Sequence, residues 1–80
     1  SGYASDPQVL SMLALAYFRL HDVRQALEYY YQAYKVEKDI LSREKLRFFI
    51  GKTSLSHLDE ISKDNYKGVK FYLNFPESYK

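Results

Sequence analysis

Eighty residues, twelve basic and ten acidic side chains and a net charge of +2 bound this chain to one small domain or a piece of a larger one. The absence of cysteine excludes a disulfide framework, a thiolate nucleophile and a cysteine-type zinc cluster. No run approaches the roughly 20 apolar residues of a membrane-spanning helix, and no secretory signal pattern opens the chain, so a reducing, cytoplasmic setting is the default expectation.

Residues 1–6 read as a disordered leader, and Ser1-Gly2 has the form of a cloning remnant. Ser5-Asp6-Pro7 is a helix start: a side-chain oxygen caps free N–H groups, and proline stands where its missing N–H costs nothing. Leu10, Leu13, Ala14, Tyr17 and Leu20 then recur at steps of three and four, one face of a helix over 7–20. His21-Asp22 interrupts the pattern. Asp22 caps a second helix over 23–39, with Gln25 three places on as in a capping box. Its single face carries Val23, Ala26, Leu27, Tyr30, Ala33 and Tyr34. Helices joined by so short a turn lie antiparallel. Ala14, Ala26 and Ala33 mark the places of closest approach, where a larger side chain would push them apart.

The segment Pro7–Lys38 resembles a tetratricopeptide repeat, a helical hairpin of about 34 residues. Leu10, Leu13, Ala14, Tyr17, Ala26, Tyr30 and Ala33 fall at seven of its eight signature places. Leu10 stands where the family prefers tryptophan, Ala14 where it often has glycine, and Lys38 where it usually has proline. The resemblance implies an all-α fold, a fragment of an α-solenoid, whose role is to present a surface to another protein and not to do chemistry. Such repeats usually need about three units for stability, and a chain this short buries only roughly 60% of its unfolded surface. A single clear repeat therefore calls for a partner: the second half of the chain, further repeats of a longer protein, or a second copy.

Residues 41–75 read as a degenerate second repeat or as capping helices. Ser42 is placed to cap a third helix over 43–61, with Leu46, Phe49, Ile50, Leu58 and Ile61 on one face. Gly51 and Thr53-Ser54 weaken its middle, so one long helix and two short ones broken near Gly51 both stay open. Ile50-Gly51 resembles the paired leucine-glycine of a repeat, and the second-helix-like KDNYKGVKFYL comes about eight residues later than the repeat would place it. In the last segment Val69, Phe71, Leu73 and Phe75 alternate as in a strand, whereas Tyr66, Val69 and Leu73 fit a helix over 65–74 starting after Asp64 or Asn65. A lone strand has no backbone partner among helices, which favours the helix, stopped by Pro76. Residues 76–80 are expected to be a frayed tail.

No motif points to catalysis, a cofactor or a metal. The three glycines are isolated, and nothing in the spacing of a serine, His57 and Asp59 makes a nucleophile set. The expected function is therefore non-enzymatic. Arg43, Lys45, Arg47 and Lys52 with Phe48 and Phe49 make an aromatic-basic run of the kind that tracks single strands. A charge of +2 is small for a dedicated nucleic-acid binder, and a solvated helix face is the favoured reading. Four of nine tyrosines fall within residues 29–34. Tyr30 and Tyr34 belong to the buried stripe, whereas Tyr29 and Tyr31 lie off it, either packed on a further helix or exposed as anchors for a partner.

Opposite the buried stripe of the first helix run Gln8, Ser11, Leu15, Phe18 and Arg19, with Met12 at the edge. The family resemblance implies that this side lines a concave groove. Ser11 and Leu15 stand where the peptide-gripping members clamp carboxylates with lysine and asparagine, so the clamp is missing. Leu15 and Phe18 would be apolar anchors for an apolar or amphipathic segment of a partner protein, with Gln8 and Arg19 as polar flankers. The alternative is a structural or self-associating piece of a larger helical array, a homodimer included, in which neighbouring repeats cover the same surface.

Overall fold

The computed structural model describes residues 5–80, with the backbone alone at 64 and 65. Of the disordered leader expected at residues 1–6, residues 1–4 lie outside the described residues, whereas Asp6 is held as the N-cap of α1. Four α-helices follow in order: α1 (Pro7–Arg19), α2 (Val23–Val36), α3 (Ile40–Ser56) and α4 (Lys67–Leu73). Three 3-10 turns, Leu58–Glu60, Lys63–Tyr66 and Glu77–Tyr79, fill out the second half. Among the described residues there is no strand, so the chain is all-α and the alternating pattern at 69–75 does not produce one.

Local chemistry sets most of the boundaries. Asp6 caps α1 by accepting from the Gln8 N–H at 2.9 Å. The turn into α2 is a Schellman motif: the Asp22 N–H donates to Tyr17 O and the His21 N–H to Phe18 O, with His21 in the left-handed region at φ 63°. Asp22 also caps α2, its Oδ1 accepting from the Gln25 N–H at 3.1 Å, so three residues end one helix and begin the next. The second helix stops at Val36, short of the expected 39, because Glu37 turns extended and its own carboxylate takes the N–H groups of Lys38 and Asp39. Asp39, and not Ser42, then caps α3. It accepts from the Ser42 N–H at 2.9 Å and starts the helix at Ile40.

The first hairpin closes on its alanines: Ala14, Ala26 and Ala33 have no exposure at all. Leu10 and Leu27 are buried with them, each worth about 1.5–3 kcal/mol relative to exposure. Two members of the expected stripe are misplaced, since Leu13 is 40% exposed and Leu20 73%. The α2 helix covers only the Leu10–Ala14–Tyr17 side; Leu13 lies roughly 100° round the helix from Ala14, and Leu20 is already the C-cap. Tyr17 stacks on Tyr29 with ring centroids 5.5 Å apart.

The helix α3 runs unbroken through Gly51 but ends at Ser56, short of the expected 61 and leaving Leu58 and Ile61 beyond it, and it pairs with α4 in a second, shorter hairpin. The glycines belong to that pairing. A β-carbon on Gly68 would stand 2.6 Å from both Ser54 Oγ and the Tyr31 hydroxyl. The 3-10 turns at Leu58–Glu60 and Lys63–Tyr66 take up the extra residues before α4, and Arg24 Nε ties the first of them to α2 by donating to Glu60 O at 3.0 Å. Helix α2 bridges the two hairpins: Tyr30 meets Phe49 of α3 at 4.7 Å, and Tyr31 and Tyr34 meet Phe71 of α4. Residues 76–80 are not a frayed tail. Phe75 is buried edge-on to Phe48 at 5.1 Å, Tyr79 packs on Phe75 at 5.5 Å, and Lys80 Nζ sits 4.9 Å above the Tyr72 ring.

Candidate functional site

The outward face of α3 lies between two grooves. Starting the helix at Asp39 puts Leu41, Lys45, Phe48 and Lys52 at steps of four, three and four, one line along the helix. Two apolar grooves flank this line. One, of about 360 Å³, is lined by Phe18, Phe48, Phe49, Lys52, Thr53, Ser56 and His57. The other, of about 350 Å³, is lined by Leu41, Glu44, Lys45, Phe48, Phe49, Phe75 and Tyr79. The end of α1 walls the first, the C-terminal turn walls the second, and Phe48 and Phe49 are shared.

Rings set on rings hold the floor in place. Phe49 lies against Tyr30 and, at 5.9 Å, against Phe18; Phe18 meets the His57 ring edge-on at 6.0 Å. Phe48 lies against Tyr72 and Phe75. The basic residues of α3 separate into two pairs. Arg43 turns inward over the Tyr34 ring at 4.4 Å, donating to Tyr34 O, and Arg47 lies over the Phe75 ring at 4.4 Å while pairing with Glu44 at 2.9 Å. Lys45 and Lys52 stay exposed on the groove face, and among the described residues neither has a carboxylate within ion-pair distance. His57 Nδ1 is 2.7 Å from Glu60 Oε2.

Of the six residues assigned to a groove on the first helix, only Phe18 lines one. It is half-buried against Phe49 and His57, an internal wall and not a free anchor. Leu15 is 40% exposed and Met12 71%, with Gln8 and Arg19 exposed and Ser11 half-buried; none of the five lines either groove. Tyr31 is buried, so it offers no secondary surface, and Tyr29 is half-buried under Tyr17. Burial pushes the Tyr31 phenol up to about 12, with the Glu28 charge adding to the effect. The Tyr30 phenol is also raised by burial, against the opposing pull of Arg19. Among the described residues the buried Tyr31 hydroxyl and Ser54 Oγ have no hydrogen-bond partner. The residues missed on the sequence, Leu41, Phe75 and Tyr79, carry weak signals: Leu41 joins the line only once Asp39 is taken as the cap, and Phe75 and Tyr79 reach α3 through tertiary folding alone.

Among the described residues no helix is long and apolar enough to cross a membrane, and no three His, Asp or Glu side chains are grouped to hold a metal ion. No family model matches the chain, nor does any curated protein or solved structure with which it was compared.

Proposed function

We propose that this chain is a protein-binding module of tetratricopeptide type whose α3 face takes an apolar or amphipathic segment of a partner, without catalysis. The carrying observation is the pair of grooves meeting at Phe48 and Phe49, with Leu41 72% exposed at one end. Folding has left apolar surface in concave, preformed shape there, and such surface on a small domain marks a contact site. The repeat reading is supported by the alanine-closed first hairpin and by a second hairpin following it across α2. Selection of displayed peptides on the intact chain tests the proposal. Selected peptides should lose binding to Leu41→Asp while that variant keeps its melting temperature; peptides that bind the variant equally well contradict it.

A second reading, a self-associating or array-forming unit, draws on the outer face of α1. Leu13 and Leu20 are exposed there beside Met12, on a helix that is apolar around most of its girth. Sedimentation of the chain over a range of concentrations separates the two. A dimer abolished by Leu20→Glu supports this second reading; a monomer at all concentrations removes self-association.

A further inference from the structure

We infer that the segment seated on α3 is an amphipathic α-helix edged with carboxylates, an inference that rests on the groove being the binding surface. Two observations carry it. The first is the chemistry of the lining. An extended segment must find partners for its own N–H and C=O groups, and the groove surface is mainly apolar, with the polar side chains of Glu44, Ser56 and His57 in its lining already engaged by Arg47, Lys52 O and Glu60. A helix satisfies its own backbone and offers an apolar stripe to such a floor. The face from Leu41 to Ser56 extends about 22 Å, the length of roughly four helical turns.

The second observation is charge. Glu44 is engaged by Arg47, and His57 by Glu60. Asp39 is close enough to feel Lys45, but its carboxylate is taken by the Ser42 N–H. Lys45 and Lys52 are left as the cations of the face, about 10 Å apart along the helix axis. Acidic side chains seven residues apart on a partner helix match that separation. Single-stranded nucleic acid fits less well. Arg43 and Arg47 are withdrawn over Tyr34 and Phe75, and the rings of Phe48 and Phe49 pack on Tyr72, Phe75 and Tyr30, which leaves Tyr79 as the mainly exposed ring of the groove and no row of free rings along which successive bases could stack among the described residues.

The test uses the intact chain and three labelled probes followed by fluorescence anisotropy. One is a helical peptide of about 18 residues, five turns, with a leucine stripe edged by glutamate; the second replaces each glutamate with lysine. The third is an oligothymidylate of about twelve nucleotides, within the site size of single-strand binders. The acidic peptide should bind at least about tenfold more tightly than the basic one, weaken as salt is raised, and lose its advantage on a Lys45→Glu/Lys52→Glu variant of unchanged melting temperature. Equal binding of both peptides, lost on Leu41→Asp, overturns the carboxylate inference and leaves the groove reading standing. Failure of both peptides, or binding indifferent to Leu41→Asp, overturns both. An oligothymidylate that binds more tightly than the acidic peptide overturns the choice of partner.

Discussion

Gly51 of α3 lies so close under Tyr72 of α4 that a β-carbon on it would stand 2.5 Å from the Tyr72 backbone nitrogen and 2.9 Å from the Gly68 carbonyl oxygen. Backbone cannot rotate aside as a side chain can, so the second hairpin depends on this glycine. Gly51→Ala should cost about 3 kcal/mol, the upper end of overpacking. Gly68→Ala should cost less, since its β-carbon meets the ends of the Ser54 and Tyr31 side chains and not backbone. Urea unfolding of the two variants checks the order; equal losses would contradict the stated geometry.

Tyr31 supplies a pH-dependent prediction. Its phenol ionises only near 12 in the folded chain, against about 10 when unfolded. The raised folded value means that the contribution is complete below pH about 10 and is lost as pH climbs towards 12, to a total of roughly 2–3 kcal/mol. Tyr31→Phe should flatten the decline in that window. At neutral pH the substitution should be neutral or stabilising by about 1 kcal/mol, because it removes a buried hydroxyl that has no partner among the described residues. Melting temperatures of both chains across alkaline pH decide it.

His21 holds a left-handed conformation that glycine adopts without strain. His21→Gly should stabilise the chain by about 0.5–1 kcal/mol and raise its melting temperature by about 4 °C. A lower melting temperature would mean that the His21 side chain contributes more than the turn geometry indicates.

Asp39 caps α3, and the Ser42 N–H it accepts holds its carboxyl below the ordinary value. A lowered folded value contributes stability above the ordinary carboxylate value that is lost as pH falls through the folded one. Asp39→Ala should therefore melt lower than the parent chain at neutral pH, and the gap should narrow in acid, where the carboxyl has lost its charge. The absence of any gap at neutral pH, or a gap that widens in acid, would contradict the cap.

The first hairpin was legible because its signals are local: Asp6 and Asp22 as caps, and small residues at helical spacing where backbones meet. The second was legible only in outline. Gly51 looked like a weakness because the partner that requires it, Tyr72, lies more than twenty residues on. The alternation of Val69, Phe71, Leu73 and Phe75 imitates a strand because α4 is short and the aromatics on it and just after it serve different neighbours, Phe71 facing Tyr31 and Tyr34, Phe75 facing Phe48. The groove expected on α1 rests on the repeat resemblance, which sets the side of the first helix bearing Leu15 and Phe18 along a concave surface. The concave surface instead formed on α3, from aromatics brought together by tertiary packing.

The most direct measurement is an amide chemical-shift titration of the intact chain with the acidic amphipathic peptide. The account predicts that the largest changes cluster at Leu41, Lys45, Phe48, Phe49 and Lys52, while Met12 and Leu15 stay unmoved. Changes centred on Met12, Leu15 and Arg19, or none at all, would contradict it.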